Sequence, residues 1–169
     1  MRGHPGGEEN SRRMIALSGL APGASILDLG AGAGETVALL RALGYEAGGI
    51  DLAPRGAHVK KGDLLRVQAE SGGYDGLISQ CAFYLSGDIP AAFREAYRLL
   101  RPGGVLMYTD VCFAPARPIA EAAGFEIRYY EDMSALWREY YIEALWRGTA
   151  DCCGIKGRCG YEMLICGKD

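Results

Sequence analysis

Residues 25–36 read SILDLGAGAGET, and the fold is decided in this stretch. Ser25 to Leu29 form an apolar run of strand length, after which glycines stand at positions 30, 32 and 34. Glycine lets a backbone turn tightly and approach a ligand with no Cβ in the way. Glu35 then opens a helix over 35–43, with Val37, Leu40 and Leu43 at helical spacing and Gly44 as its stop. The first turn of such a helix presents backbone N–H groups that have no intrahelical acceptor. Strand, glycine turn and helix in that order begin an α/β unit whose turn faces a ligand.

Outward from this unit the alternation continues in both directions. A polar-to-amphipathic helix is expected over 8–19, and a second strand over 46–51 (EAGGID), weakened by its glycines. The segment LAPRGAHVKKGD, 52–63, is short: Pro54 and Gly56 leave room for one helical turn before a strand at 58–60. The lysines of that strand suit an exposed sheet edge. A fourth strand is read at 74–79 and a helix at 88–101, capped by Asp88, with Pro90 in its first turn. Phe93, Ala96, Tyr97 and Leu100 share one face of that helix, and Pro102-Gly103-Gly104 ends it. Strands at 105–110, 125–130 and 161–166 and helices near 116–123 and 134–147 complete the pattern. With no repeat, low-complexity tract or linker, residues 1–169 read as a single domain.

The composition narrows the function. At 49% hydrophobic residues the chain can build one core, and a net charge of −3 supplies none of the clustered basic charge that nucleic acid requires. The first thirteen residues hold no apolar stretch of the kind that directs export, and no apolar run approaches the ~18 residues that span a bilayer. The expectation is a cytoplasmic protein with no membrane or nucleic-acid partner, monomeric or homodimeric. Six cysteines include no Cys-x-x-Cys pair, which disfavours zinc-ribbon and thioredoxin readings.

The glycine turn identifies its ligand by what surrounds it. A dinucleotide fingerprint needs a third glycine at position 35, where this chain has Glu35. The spacing is instead Asp28-x-Gly30-x-Gly32-x-Gly34, and a carboxylate beside the turn suits a cationic ligand and would repel a pyrophosphate. This pattern resembles the first motif of class I S-adenosylmethionine-dependent methyltransferases of the small-molecule type, similar to the ubiquinone-biosynthesis and arsenite methyltransferase groups. Asp51 follows 21 residues after Gly30, GDL stands at 62–64, YDGLIS leads into Gln80, and REAYRLLRPGGVLMYTD occupies 94–110, all in that family's order. The resemblance implies S-adenosylmethionine as cofactor and an α/β, Rossmann-like doubly wound sheet of seven strands, order 3-2-1-4-5-7-6 with strand 7 antiparallel. It also implies cofactor contacts from Asp28, Gly30, Ala31, Gly32, Asp51, Leu52, Asp63, Leu64 and Gln80. Asp51 would take the ribose hydroxyls, Asp63 the adenine amino group and the Leu64 amide a ring nitrogen. The eleven residues between Asp51 and Asp63 are fewer than most relatives use there.

In open parallel sheets the ligand lies beyond the carboxyl ends of the strands. On the implied order that end collects Gln80, Cys81, Phe83, Tyr84, Asp110 and Cys112, with the loop DCCGIKGRCG, 151–160, overlooking it. Cysteine is an easily buried residue with no necessary chemical task, a reading that suits Cys81 and Cys166. Cys112, Cys152, Cys153 and Cys159 could instead present a site for a thiophilic acceptor, a thiol or a metalloid such as arsenite. Asp110, Tyr84 and His4 are the candidates for acid–base work, His4 also as part of an N-terminal lid. Trp137, Tyr140, Tyr141 and Trp146 fall at helical spacing, as a core stripe, a substrate cover or a dimer face. The expected function is methyl transfer to a small-molecule acceptor. The rival readings are a nicotinamide-dependent oxidoreductase, disfavoured by Glu35, and a non-catalytic cofactor-binding or metal-sensing protein.

Overall fold

The computed structural model describes residues 4–148 and 159–169. Seven strands form one sheet: β1 (Ser25–Leu29), β2 (Glu46–Asp51), β3 (Val59–Lys61), β4 (Tyr74–Gln80), β5 (Leu100–Cys112), β6 (Glu126–Asp132) and β7 (Gly160–Gly167). Their order is β3-β2-β1-β4-β5-β7-β6, with β7 antiparallel to both its neighbours. Among the described residues five α-helices accompany them: α1 (Gly7–Ser18), α2 (Glu35–Ala42), α3 (Ile89–Leu99), α4 (Arg117–Ala122) and α5 (Ser134–Trp146). The order and the reversed last strand are those that the family resemblance implies. No described helix is long and apolar enough to cross a membrane.

The two faces of the sheet divide the core. Strand residues such as Ile26, Ile78, Met107, Met163 and Ile165 meet Met14 and Ile15 of α1, Val37 and Leu40 of α2, and Trp137 of α5. On the other face Leu27, Leu77, Leu106, Tyr108 and Leu164 meet Phe93, Ala96 and Leu99 of α3 and Ala120 of α4. The alternation of side chains along each strand makes this division, because i and i+2 point the same way. The expected Asp88 cap forms, its carboxylate accepting from the Ala91 N–H at 2.9 Å. Helix α3 stops at Leu99, earlier than its periodicity suggests, because Leu100 already pairs with Tyr74 at the foot of β5.

The β2–β3 half of the sheet departs most from expectation. Residues 52–58 contain no helical turn, and 62–73 contain no helix either. The first segment instead folds back onto the glycine loop, where the Arg55 N–H donates to the Gly32 carbonyl at 3.0 Å. A Cβ on Gly56 would lie 2.0 Å from the Ala33 carbonyl oxygen, so only glycine allows this approach. The second segment lays Leu64, Leu65, Val67 and Ala69 over the sheet in place of a helix. Arg98 clamps it, donating to the Val67 and Ala69 carbonyls at 3.1 and 2.9 Å while Glu95 accepts from the Val67 N–H at 2.8 Å.

Candidate functional site

The candidate site lies at the carboxyl ends of β1, β2 and β4 and is built from the glycine loop upward. Gly30 and Ala31 both donate their N–H groups to the Ile50 carbonyl at 2.9 Å, which locks the loop against the end of β2. Gly30 has φ 85°, and a Cβ there would lie 2.3 Å from that of Ala82, so the loop and the chain leaving β4 touch through a missing side chain. Asp51 holds the loop from its other side. Its two oxygens accept from the Gly32 and Ala53 N–H groups at 2.9 and 2.8 Å, with lone pairs left over on both.

Asp28 is the electrostatic anomaly of the site. Asp28 is 4% exposed as a residue, and no hydrogen bond from the described residues reaches its carboxylate. Burial, with the nearby charge of Asp51 added, pushes its pKa up to about 7. A buried carboxylate without a partner is costly unless something cationic completes it.

The remaining residues expected of this site differ in what surrounds them. Leu52 is 68% exposed just beyond Asp51, and the Leu64 side chain reaches the Gly30 turn. Asp63 is exposed and accepts from the Leu65 N–H at 2.8 Å, a local turn bond. Gln80, at the end of β4, is a hub: Thr36 and Ser11 donate to its Oε1 at 3.1 and 3.2 Å, and its amide reaches His4 Nδ1 at 3.3 Å. Ser11 and Thr36 were missed from sequence, although Ser11 was visible as a polar residue on the buried face of an amphipathic helix. Arg55 was missed as well, since nothing short of the fold brings it over Gly32.

The acid–base candidates sit differently from one another. Asp110 is buried, and its oxygens accept from the Tyr84 and Val111 N–H groups at 3.0 and 2.7 Å. Burial outweighs these bonds and raises its pKa to about 6. Tyr84 stacks at a tilt on Phe113 with ring centroids 5.6 Å apart, and with the exposed Leu85 they form an apolar lip after β4 and β5. His4 is half-buried at the base of α1, its pKa lowered chiefly by burial.

Cys112 and Gly160 are directly opposite across β5 and β7, so Cys159 lies beside Cys112. The Cys112 thiol is pushed up to about 12, by burial first and then by Glu162, Asp132 and Cys159. Glu162 accepts from the Ala116 N–H at 2.5 Å and faces that thiol. Trp137 donates its indole N–H to Cys159 Sγ at 3.2 Å and stacks on Tyr140, Tyr141 and Tyr161, so this part of the aromatic stripe is core. Trp146, at the end of α5, is 87% exposed. Cys81 has φ 56° and contacts the Tyr161 hydroxyl, whereas Cys166 is buried near the opposite end of β7. Cys152 and Cys153 lie outside the described residues. A cavity of about 1060 Å³ opens between α1, α2 and α5, lined by His4, Ser11, Glu35, Thr36, Tyr140 and Arg147 among others.

A seven-stranded sheet with a reversed β7, carrying an acid-and-glycine loop at the end of β1, defines a Rossmann-like methyltransferase fold. Residues 6–148 match the model of the methyltransferase domain family, and the chain belongs to that family. Among curated relatives it is 31% identical over 164 residues to the arsenite methyltransferase of Aquipseudomonas alcaligenes, covering 81% of this chain and 47% of that protein. The chain spans about half the length of the curated relatives it matches first. Phosphoethanolamine N-methyltransferase 2 of Haemonchus contortus, solved with S-adenosylmethionine, superposes with a TM-score of 0.77 at 17% identity, covering 98% of this chain and 53% of that one. Geranyl diphosphate C-methyltransferase of Streptomyces coelicolor A3(2), solved with Mg2+, geranyl diphosphate and S-adenosylhomocysteine, gives 0.73 at 15% identity, covering 95% and 78%.

Proposed function

We propose that this chain is an S-adenosylmethionine-dependent methyltransferase acting on a small-molecule acceptor, with a thiol or metalloid as the acceptor class. The observation that carries the cofactor reading is Asp28, a buried carboxylate without a hydrogen bond that adjoins the glycine loop. A ligand bearing an ammonium and a sulfonium supplies the positive charge this site lacks. Asp51, pinned by two amides, keeps acceptor capacity for a pair of vicinal hydroxyls. Gly30, Ala31 and Gly32 would lie under the cofactor, Leu52 and Leu64 would line its base, with Asp63 at the rim, and Gln80 would stand at its methionine end.

S-Adenosylmethionine brings an activated methyl group, and the acceptor lone pair forms its bond to that carbon as the carbon–sulfur bond breaks. The residues of this chain therefore need to align and to exclude water more than to move protons. The lip of Tyr84, Leu85 and Phe113 is suited to exclude water from the mouth of the site. Asp110 is committed to backbone amides, which argues for an acceptor that needs no strong general base. Arsenite and thiols meet that condition, and the adjacent Cys112 and Cys159, together with the arsenite methyltransferase relative, support that class.

The test is calorimetric titration of the reduced protein with S-adenosylmethionine, S-adenosylhomocysteine and NAD, followed by transfer of labelled methyl to arsenite and to small thiols. Micromolar binding of the first two without NAD is expected, and Asp51→Ala should weaken it by roughly ten- to hundredfold, the worth of hydrogen bonds to a charged group. No binding of either sulfur ligand would remove the reading. Cofactor binding with transfer only to amines or carbon acids would remove the acceptor class and keep the rest.

A further inference from the structure

Ser11 and Thr36 both donate to Gln80 Oε1, and this fixes the orientation of the Gln80 amide, with its NH2 group turned toward His4 Nδ1. In the neutral tautomer that carries its proton on Nε2, Nδ1 accepts from the Gln80 amide and Nε2 donates to Ser11 Oγ at 3.3 Å. In that state three bonds run in one direction around a closed ring: Gln80 to His4, His4 to Ser11, Ser11 to Gln80. Gln80 stands two residues beyond Ile78, the strand partner of Asp28, and therefore on the same sheet face as that unpartnered carboxylate. The Pro5 carbonyl lies 3.3 Å from Nδ1, ready to accept a second imidazole proton.

We propose that His4 is a positioning residue of the cofactor site: as neutral imidazole it closes a ring with Ser11 and Gln80 that clasps residues 4–11 over the carboxyl end of β4, and its protonation opens the clasp and weakens cofactor binding. The inference rests on the cofactor reading above. Protonated Nδ1 turns to the Pro5 carbonyl and confronts the Gln80 NH2 group with a donor, so the ring breaks at its link between helix and strand. Burial favours the neutral form, while Glu35 at the start of α2 favours the charged one. The other charged or titratable groups around the same cavity are Glu8 and Arg12 on α1 and Tyr140, Glu143 and Arg147 on α5. Glu8 with Arg12 and Glu143 with Arg147 form ion pairs, which leaves Glu35 as the acid that acts on the ring.

The experiment is the Kd of S-adenosylhomocysteine between pH 8 and pH 5.5 for the wild type, His4→Gln and His4→Ala. Gln supplies a donor near the Nε2 position without titrating, so it should bind within about threefold of wild type at pH 8 and His4→Ala more weakly. As pH falls from 8 to 5.5 the wild type should lose several-fold in affinity that His4→Gln keeps, because protonation of His4 and binding compete. Asp28 titrates equally in both proteins, so the ratio of the two curves isolates His4. Parallel curves would overturn the clasp while leaving the cofactor site intact. If S-adenosylhomocysteine binds none of the three at any pH, the cofactor reading has failed and the proposal falls with it. The ring has its own readout in the NMR titration of His4: an Nε2–H tautomer with a pKa below 6.5 that rises in Ser11→Ala is expected. A ring that titrates at the solution value in both proteins would refute it.

Discussion

Asp28 occupies the poorest environment for a charge among the site residues, and its conduct separates binding from stability. Its pKa rises from 3.8 in the unfolded chain to about 7 in the folded one, so the folded state holds that proton more tightly. The associated stability is fully present below pH 4 and is lost as pH rises through 7. At pH 8 the cofactor-free protein therefore carries an ionised, unpartnered carboxylate in its interior. Asp28→Asn should stabilise the free protein at pH 8 by on the order of 1–2 kcal/mol, read as a rise of about 2–8 °C in Tm. The same substitution should weaken S-adenosylmethionine binding by about tenfold or more, because the amide offers no charge to the ammonium. A variant that loses both stability and affinity would mean the carboxylate holds the loop together without meeting the cofactor.

The glycines of β2 show, at the level of the element, what sequence can and cannot disclose. Read along the chain, Gly48 and Gly49 both weaken a strand. In the fold they have opposite surroundings. A Cβ on Gly49 would lie 2.5 Å from the Ala31 Cβ and 2.9 Å from Val37 Cγ2, which is how α2 and the glycine loop come close to the sheet. A Cβ on Gly48 would meet nothing nearer than the His58 carbonyl at 3.7 Å. Gly49→Ala is expected to cost about 1–3 kcal/mol by overpacking and to loosen cofactor binding, whereas Gly48→Ala should be neutral or slightly stabilising. Urea melts of the two variants check this directly, and equal effects would refute the packing account. The elements themselves were legible because their signals are local: the helical spacing of Phe93, Ala96 and Tyr97, the Asp88 cap, and the glycines after β1. Gly30, Asp28 and Asp51 were legible for the same reason, since each stands at the end of a readable strand. The hub at Gln80 was not, because Ser11 and Thr36 reach it across 69 and 44 residues of chain. The return of 52–57 onto the glycine loop depends on a contact between Gly56 and Ala33 that no local pattern encodes.

Taken over the whole molecule, the buried acids set an unusual direction for stability against pH. Asp28 and Asp110, with ordinary values of 3.8, rise to about 7 and about 6, and Glu162 is raised as well, each chiefly by burial. A raised carboxylate contributes stability that is complete below its unfolded pKa and fades as pH climbs through its folded one. Two effects work the other way. His4 has its pKa lowered, so its contribution is present above 6.5 and fades on acidification. Glu95, Glu131 and Asp132 are held low by Arg98, Arg13 and Ser134, and lose stability as pH falls through their depressed values, modestly for the exposed Asp132 and the partly exposed Glu131. The sum is a maximum near pH 4 to 5 and a decline toward pH 7, the window in which the unfolded chain ionises these acids and the folded one does not. The Tm of the cofactor-free protein should fall by several degrees between about pH 5.5 and pH 8. Saturating S-adenosylhomocysteine should flatten that decline, because its ammonium lets Asp28 ionise at no cost, while the share due to Asp110 and Glu162 persists. Asp28→Asn should show the flatter curve without ligand. A Tm that rises steadily from pH 5.5 to pH 8 in the free wild type would mean that the buried carboxylates have partners in solution, and the electrostatic case for a cationic cofactor beside Asp28 would go with it.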